Sequence, residues 1–243
     1  MSVGDVAAKA GETGKGEKLA IHRGNVSALI PSYFEERQIF EVATRVKAQL
    51  DDVLVIDDGS TDKTESEAQR AGVRVIRHPV NQGKGAAIKT GLRDLTAREG
   101  VRYILILDGD GQHLPEEIPH FIEEGNRSGS PLILGNRMSD TRTMPLVRKL
   151  TNNFMSWQIS RVCGQSMPDT QCGFRMISVD LAPALFTEAN NYDYETEMLI
   201  IASRRGCRIT SVPVSTVYGE EKSKIHPVRD TIRFFKLLQR YKR

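Results

Sequence analysis

The sequence predicts an α/β protein built on a mostly parallel, doubly wound sheet. Short apolar runs typical of buried strands alternate five times with segments whose apolar residues recur at helical spacing. The connections are short, and polar clusters follow directly after several of the strands. Because a crossover helix returns the chain to the same edge of the sheet, this alternation favours parallel strands with helices on both faces.

The first half of the chain carries this alternation. The predicted strands cover residues 26–31, 53–56, 73–76, 103–107 and 132–134. The predicted helices cover residues 36–50, 62–71 and 85–98, with a further helix opened by Pro115. After Gly135 the rhythm breaks. There we expect a helix over 146–162, an irregular segment over 163–173, a helix over 194–205, a strand over 208–214 and a last helix from Pro227.

Composition bounds the class of protein. With 39% hydrophobic and 27% charged residues the chain is ordinary for a globular domain, and a net charge of +3 is too small to indicate nucleic acid. Residues 1–24 nearly lack large apolar side chains, so we expect a disordered leader before a single domain over 25–243. Three cysteines without metal-ligand spacing predict reduced thiols. No apolar run approaches the roughly 20 residues of a membrane span and no secretory signal is evident, so the cytoplasm is the expected compartment.

The fourth predicted strand runs into two aspartates, Asp108 and Asp110, separated by Gly109. Two carboxylates on one turn suit a divalent cation and a phosphate-rich ligand, although a simple turn that caps the next helix has the same pattern. Polar clusters at 31–36 and 57–60 also follow strands. The carboxyl ends of parallel strands meet at one edge, so the three clusters together favour a binding site there.

The loop at 81–85 is a fourth candidate piece. Its glycines and backbone amides, with the charge of Lys84, suit a phosphate at the start of the following helix. A plain capped loop remains the alternative. If the ligand is a nucleoside diphosphate-sugar, a cation held by Asp108 and Asp110 would neutralise the departing diphosphate. Asp57 or Asp58 would then accept hydrogen bonds from the base or ribose, and Tyr33 would lie against the base.

Four motifs in chain order resemble family 2 glycosyltransferases of the GT-A fold. They are Pro-Ser-Tyr-x-Glu at 31–35, Val-Ile-Asp-Asp-Gly-Ser-x-Asp at 55–62, Asn-x-Gly-Lys-Gly at 81–85 and Leu-Asp-Gly-Asp-Gly-Gln-His at 107–113. The likeness continues through 134–137, 169–175 and 212–214, and it is strongest to the dolichol-phosphate mannose and undecaprenyl-phosphate glucose synthase branch. Many relatives carry alanine where Gly109 stands, a departure that we expect to fit.

The resemblance implies a Rossmann-like GT-A domain, with a nucleotide-sugar half over 25–135 and an acceptor half over 136–243. The nucleotide-sugar would be held by residues from all four motifs: Pro31, Tyr33, Glu35, Asp57, Asp58, Lys84, Asp108, Gly109 and Asp110. Asp108, Asp110 and Gln112 would ligate Mg²⁺ or Mn²⁺. Arg137 and Arg148 would face an acceptor phosphate, and the loop 218–226, with Lys222 and Lys224, would close over the diphosphate.

The second half supports a phosphate acceptor on physical grounds, because arginines lie in or just after a polar loop and arginine suits bidentate phosphate binding. We count Arg175 and Lys224 with the acceptor-binding residues, and we expect Asp169 to orient Arg175. For Arg142 a solvated loop is the preferred interpretation.

A hydroxyl acceptor would need a general base, which an ionised phosphate would not. Of Asp193, Glu195 and Glu197 we choose Glu195, although carboxylates at a helix start are also favoured by the dipole.

The last predicted helix carries a basic stripe and an apolar stripe. Arg229, Arg233, Lys236, Arg240 and Arg243 form the first, and Val228, Ile232, Phe235 and Leu238 form the second, extended by Phe234, Leu237 and Tyr241. Such a helix suits an anionic membrane surface, which would make the protein peripheral on the cytosolic face, or else it is a docked terminal helix.

The sequence thus predicts a metal-dependent, inverting transferase that moves a sugar from a nucleotide-sugar to a polyprenyl phosphate. Alternatives are a transferase acting on a glycan or small-molecule hydroxyl, a haloacid-dehalogenase-like phosphatase, whose strand also ends in Asp-x-Asp-Gly, and a non-catalytic sugar-nucleotide-binding module. The sugar, the base and the oligomeric state stay open.

Overall fold

The computed structural model describes residues 20–142, 144–217 and 227–241, except the side chains of 227–232. The predicted leader through residue 19 and the predicted closing loop 218–226, with Lys222 and Lys224, lie outside the described residues. Ile21, which the sequence places in the leader, is buried. Its backbone N–H donates to Asn126 Oδ1 at 2.8 Å, and Asn126 Nδ2 donates back to its carbonyl at 2.9 Å.

Seven strands and seven α-helices make up the described chain. The strands are β1 (Val26–Ser32), β2 (Asp52–Asp57), β3 (Arg74–Arg77), β4 (Tyr103–Ile106), β5 (Leu132–Asn136), β6 (Arg175–Ser178) and β7 (Ile209–Pro213). The helices are α1 (Ile39–Gln49), α2 (Thr64–Arg70), α3 (Lys84–Thr96), α4 (Ile118–Ser128), α5 (Leu146–Cys163), α6 (Asp193–Arg204) and α7 (Pro227–Tyr241).

The strands form one sheet in the order β3-β2-β1-β4-β6-β5-β7. All neighbouring pairs are parallel except the two that involve β6, which is antiparallel to β4 and to β5. The predicted mostly parallel α/β sheet is confirmed. Sequence reasoning did not foresee β6, because it is four residues long and begins with Arg175, whose burial depends on partners elsewhere in the chain.

Apolar side chains pack on both faces of the sheet. Leu29 of β1 belongs to a core with α3, α6 and α7, whereas its neighbours Ala28 and Ile30 belong to a core with α1 and α4. Alternate residues of a strand point to opposite faces, so a strand covered on both sides must be apolar throughout. This explains the unbroken apolar runs in the sequence.

The last helix, α7, is docked on the protein. Phe234, Leu237 and Leu238 are buried in the core shared with α6. The hydroxyl of Tyr241 donates to Glu197 Oε1 at 2.9 Å. The described part of α7 therefore matches the docked alternative, and a membrane role for its basic residues stays a prediction.

The three cysteines, Cys163, Cys172 and Cys207, are free, as predicted. Burial raises the pKa of Cys163 to about 11 and that of Cys172 to about 12, so both thiols stay protonated near neutral pH. Within the described residues, no helix combines the length and the apolar composition needed to cross a bilayer.

Candidate active site

A cavity of about 450 Å³ opens at the carboxyl ends of β1, β2 and β4. Side chains from both halves of the chain line it. The predicted site residues in its wall are Pro31, Tyr33, Glu35, Asp58, Lys84, Asp108, Gly109, Asp110, Gln112, Arg137, Arg148, Arg175 and Glu195. The strand-end clusters converge as the parallel topology requires.

The turn after β4 places Asp108 and Asp110 in the cavity wall. Asp110 Oδ1 accepts a hydrogen bond from the backbone N–H of Gln112 at 3.0 Å, which folds the turn back on itself. The backbone of Gly173 lies so close to Asp108 that any side chain at 173 would collide with the carboxylate. A methyl group at 109 would stand 2.5 Å from Ser32 Oγ, so alanine there would require the Ser32 side chain to move.

Lys84 joins the two halves of the chain at this turn. Its Nζ lies 2.7 Å from Asp108 Oδ1 and 2.9 Å from Glu195 Oε2. Burial lowers the pKa of Lys84, but the charges of Asp108 and Glu195 outweigh burial and raise it above its ordinary value. Burial likewise raises the pKa of Asp108, but Lys84 and His113 outweigh it and hold that pKa below its usual range. Lys84 and Asp108 are therefore both charged at neutral pH.

Within the described residues Asp110 forms no ion pair like those of Asp108, and the charges of His113 and Lys84 affect its pKa less than burial and Asp108 do. Burial, followed by the negative charge of Asp108, raises the pKa of Asp110. Two carboxylates whose charges repel in a cavity are suited to a hard divalent cation, and the amide oxygen of Gln112 is a third oxygen donor nearby. No group of three His, Cys, Asp or Glu side chains able to hold a metal occurs among the described residues. A cation held by two carboxylates and completed by substrate phosphates fits this donor set.

The segment 31–35 is held by the chain that follows β2. The backbone N–H of Phe34 donates to Ser60 Oγ at 3.0 Å, and that of Glu35 donates to Thr64 Oγ1 at 2.8 Å. The ring of Tyr33 packs against that of Phe34, with their centroids 4.3 Å apart. The nucleotide-contacting role of Tyr33 and Glu35 remains a prediction.

Asp57 and Asp58, adjacent in sequence, have different positions. Asp57 is fully buried beneath the cavity, where Ser60 donates to its Oδ1 through both its backbone N–H and its hydroxyl. Asp58 lines the cavity, but Gln82 N–H and Gly83 N–H donate to its carboxylate at 2.9 and 2.8 Å. These two amides, which the sequence suggested for a phosphate, are thus bonded to Asp58. Asn81, Gly83 and Lys84 of the loop line the cavity, and Lys84 contributes the positive charge there.

His78 supports this arrangement from beneath. Its Nδ1 lies 2.7 Å from Asp58 Oδ1, and its Nε2 lies 2.9 Å from Thr90 Oγ1 of α3. Gly83 takes a positive φ of 98°, and its Cα lies directly against the backbone of Asn190, where a side chain has no room. Asp58, His78 and Gly83 together fix the loop that presents Lys84.

On the other side of the cavity Arg137 is paired with Asp169. Its Nε and Nη2 donate to the two oxygens of that carboxylate at 2.7 and 3.0 Å. Burial raises the pKa of Asp169, but the hydrogen bonds and charge of Arg137 outweigh burial and lower it. The prediction that Asp169 orients Arg175 is therefore wrong, since Asp169 orients Arg137.

Arg175 is almost fully buried and is held by backbone carbonyls. It donates to the carbonyl oxygens of Cys172, Glu195 and Thr170 at 2.8, 2.6 and 3.1 Å. Arg175 reaches the cavity wall, but these bonds make it a support for the turn 170–173 and for α6. Of the three candidate bases only Glu195 lines the cavity, and it lies against Lys84; Glu197 is buried and accepts the Tyr241 hydrogen bond.

A sequence model of glycosyl transferase family 2 matches residues 27–186. The chain belongs to this family. It is therefore a glycosyltransferase, and the phosphatase alternative is excluded.

Two relatives cover most of this glycosyltransferase. The UDP-N-acetylglucosamine–dolichyl-phosphate N-acetylglucosaminyltransferase of Methanococcus voltae is 30% identical over 215 residues, covering 79% of this chain and 85% of that protein. The undecaprenyl-phosphate mannosyltransferase of Micrococcus luteus is 28% identical over 208 residues, covering 80% and 84%. Both names include a polyprenyl phosphate acceptor.

A solved structure shares the fold. Glucosyl-3-phosphoglycerate synthase from Mycobacterium tuberculosis, in complex with Mn²⁺, uridine diphosphate and phosphoglyceric acid, superimposes with a TM-score of 0.68. The alignment covers 88% of this chain and 76% of that chain at 19% identity. The predicted GT-A fold class is confirmed.

The cavity of this glycosyltransferase also contains residues that sequence reasoning did not select. His113 Nε2 lies 3.7 Å from Asp108 Oδ2, and its ring packs on Phe174 at 5.2 Å between centroids. The Tyr192 ring lies 5.7 Å from Lys84 Nζ. Arg233 of α7 also lines the cavity. His113 closes the Asp-Gly-Asp-Gly-Gln-His motif, a signal that could have marked it, whereas Arg233 stood among several basic residues and nothing in the sequence singled it out.

Proposed function

We propose that this glycosyltransferase transfers a sugar from a nucleotide-sugar to a polyprenyl phosphate with inversion, in the presence of Mg²⁺ or Mn²⁺. The observation that carries the proposal is that one cavity contains both the Asp108–Asp110 turn and the arginines Arg137 and Arg148. The first is suited to a cation and a diphosphate, and the second to an anionic acceptor. The two polyprenyl phosphate transferases related to this chain support the same choice.

The reaction requires an anionic acceptor and an anionic leaving group in one cavity. An oxygen of the acceptor phosphate attacks the anomeric carbon on the face opposite the donor diphosphate. The bond from that carbon to the diphosphate oxygen breaks, and its electron pair leaves with the nucleoside diphosphate. Attack from the opposite face inverts the anomeric carbon. An ionised phosphate has no proton to lose, so the step requires no general base.

The residues of this chain then have distinct tasks. Arg137, whose guanidinium Asp169 holds in place, and Arg148 bind and orient the acceptor phosphate. Lys84 holds Asp108 and supplies positive charge beside the leaving diphosphate, and Glu195 fixes Lys84. A divalent cation held by Asp108, Asp110 and Gln112 would supply Lewis-acid stabilisation of the negative charge that develops on the diphosphate.

The alternative acceptor is a hydroxyl of a glycan or small molecule. It would need Glu195 as a general base, because a hydroxyl must lose its proton. The ion pair between Glu195 and Lys84 favours the phosphate acceptor, since it occupies the carboxylate that would accept the proton.

The first test is Asp110→Asn, which keeps the shape of the side chain and removes its charge. We expect kcat/KM for sugar transfer to fall by about 10²–10³-fold, the effect of losing one transition-state electrostatic contact. Asp180→Asn, on the surface outside the cavity, is the matched control and should retain normal transfer. Near-normal transfer by Asp110→Asn with unchanged dependence on Mn²⁺ would overturn the mechanism.

The second measurement separates the two acceptors. The protein is incubated with labelled UDP-, GDP- and dTDP-sugars, Mn²⁺, and either a polyprenyl phosphate in detergent or a panel of glycan hydroxyls. We expect a lipid-linked product whose mass corresponds to one sugar joined to the phosphate. A product formed only on a hydroxyl would replace the proposed acceptor by the alternative.

A further inference from the structure

Helix α5 turns large apolar side chains towards solvent. Five of them are exposed on one side of the helix, with fractional exposures of 49% to 77%: Leu146, Val147, Leu150, Phe154 and Trp157. We call this set the α5 apolar surface. Its members recur at three- and four-residue steps, so they share one face. Contiguous apolar patches of this kind usually mark an interaction site.

The opposite face of α5 is partly polar and is buried. Ser156 accepts a hydrogen bond from the backbone N–H of Thr170 at 2.9 Å, and its hydroxyl lies 3.1 Å from Thr170 Oγ1. Asn152 is also buried. A helix on the surface of a globular protein normally buries its apolar face and exposes its polar face. The buried face of α5 combines Ile159 with Asn152 and Ser156. The large side chains of Phe154 and Trp157 face solvent instead, which indicates that the exterior face meets an apolar partner.

The charge of α5 indicates what kind of partner this is. The helix carries Arg148, Lys149 and Arg161 and has no acidic residue. The Arg161 guanidinium lies 5.1 Å from the centre of the Trp157 ring, and that ring lies 6.3 Å from Phe154. Aromatic side chains next to basic ones are the combination found where proteins meet the boundary between lipid headgroups and acyl chains.

The α5 apolar surface begins at the cavity. Arg148, which lines the cavity, stands between Val147 of the surface and Lys149 on the same turn. A hydrophobic layer in contact with α5 would therefore lie beside the residues that bind the acceptor phosphate. By contrast, Phe234, Leu237 and Leu238 of α7 are already buried in the protein core, so those side chains are not available to lipid.

We propose that the α5 apolar surface docks on an anionic phospholipid bilayer and so holds the mouth of the cavity against the membrane. The proposal rests on the proposed function, because a polyprenyl phosphate resides in a bilayer. A second copy of the chain is a poorer partner, because a symmetric contact would bring two helices with the same positive charge together. An anionic bilayer complements that charge.

The chain contains one tryptophan, and it lies on this surface. The full-length protein is titrated with vesicles of phosphatidylglycerol and phosphatidylcholine, or of phosphatidylcholine alone, while Trp157 emission is recorded. We expect emission to shift to shorter wavelength with the anionic vesicles, and brominated lipids to quench it. Binding to the vesicles without any change in Trp157 emission or quenching would overturn the proposal, as would no binding.

A charge placed in the surface tests its role directly. Phe154→Glu should weaken partitioning onto anionic vesicles by about tenfold or more, because it replaces a membrane-buried ring by a carboxylate. Phe186→Glu is the matched control, since Phe186 is also exposed but lies outside α5. Equal binding by the two variants would overturn the proposal. A concentration-dependent dimer that Phe154→Glu dissociates would also overturn it, in favour of a second copy.

Sugar transfer separates this inference from the proposed function. Phe154→Glu should keep transfer to a short-chain, water-soluble prenyl phosphate and lose transfer to a long-chain one in vesicles. Equal loss with both acceptors would argue for damage to the site and against a docking role. If the wild type glycosylates neither acceptor yet binds vesicles through Trp157, the docking surface is supported and the proposed acceptor is overturned.

Discussion

The two halves of the molecule hold their functional carboxylates in different ways. In the first half, Asp58 and Asp110 accept hydrogen bonds from backbone amides, and no ion pair of Asp110 occurs in the part of the chain that the structure describes. In the second half, Asp169 is paired with Arg137. The first arrangement leaves negative charge available for a cation, whereas the second fixes a guanidinium in position. Lys84 connects the two by pairing with Asp108 and Glu195.

Among the changes that test this comparison, we expect the largest effect from breaking the ion pair of the second half. Asp169→Asn should reduce the free energy of unfolding by about 3 kcal/mol at pH 7, because it removes the partner of a largely buried arginine. The folded-state pKa of Asp169 is lowered. Its contribution is therefore complete above the unfolded-state pKa of about 3.9 and is lost as pH falls through the folded-state pKa.

Urea unfolding of wild type and Asp169→Asn at pH 7 and towards pH 3 measures this contribution. The difference between the two proteins should shrink as the pH falls. The matched control is Asp140→Asn, which breaks the Asp140–Arg142 pair on the exposed surface and should leave the unfolding midpoint unchanged. A difference that stays constant with pH would show that Asp169 acts by packing and not by charge.

The next effect tests the connection between the halves. Lys84→Met removes the cation shared by Asp108 and Glu195, and we expect kcat/KM for transfer to fall about 100-fold, equivalent to about 2.7 kcal/mol. Lys89→Met, at a lysine further along α3, is the control. Lys89 bonds to the Thr187 carbonyl and Asn190 Oδ1 at 2.6 Å and does not line the cavity. Equal losses in the two variants would show that Lys84 only attaches α3 to the second half.

We expect the smallest effect in the first half, where backbone amides as well as a side chain hold Asp58 in place. His78→Phe removes one of the partners of Asp58 and leaves the Gln82 and Gly83 amides in place. We therefore expect the free energy of nucleotide-sugar binding to weaken by about 1 kcal/mol. The KM for the nucleotide-sugar should rise about fivefold while kcat and the acceptor KM stay the same. His78→Asn, which can still bond to Asp58, should restore much of the donor KM. A rise in the acceptor KM alone would contradict the proposed role of Asp58 in binding the nucleotide-sugar.

The sequence predicted the first half well because its order is local. An apolar run that ends in a polar cluster predicts both a buried strand and the edge at which its cluster lies. It follows that Tyr33, Asp58 and Asp108 share a cavity once the strands are parallel. The same reasoning did not separate Asp57 from Asp58, because which of two adjacent side chains faces the cavity depends on how β2 ends against its neighbours.

The second half was harder to predict because its contacts join residues that are distant in the chain. The antiparallel strand β6 is short, and its first residue, Arg175, is stabilised by carbonyls from the turn before it and from α6. The sequence paired Asp169 with Arg175, six residues away, but the folded chain brings Arg137 closer. Contacts between distant residues also limited the prediction of the helices. The periodicity of the sequence identified α5 and α7, but it did not predict that α7 buries its large apolar side chains and that α5 exposes several of its own.

The sequence by itself determined the α/β class, the parallel first half and the Asp108–Gly109–Asp110 turn at the end of a buried strand, because these follow from the order of neighbouring residues. Only the tertiary structure decided that Lys84 lies between Asp108 and Glu195, that Asp169 holds Arg137, and that α5 leaves large apolar side chains exposed. The partner of a charge, like the covering of an apolar face, is set by residues distant in the chain, which meet only when the sheet and its helices have assembled.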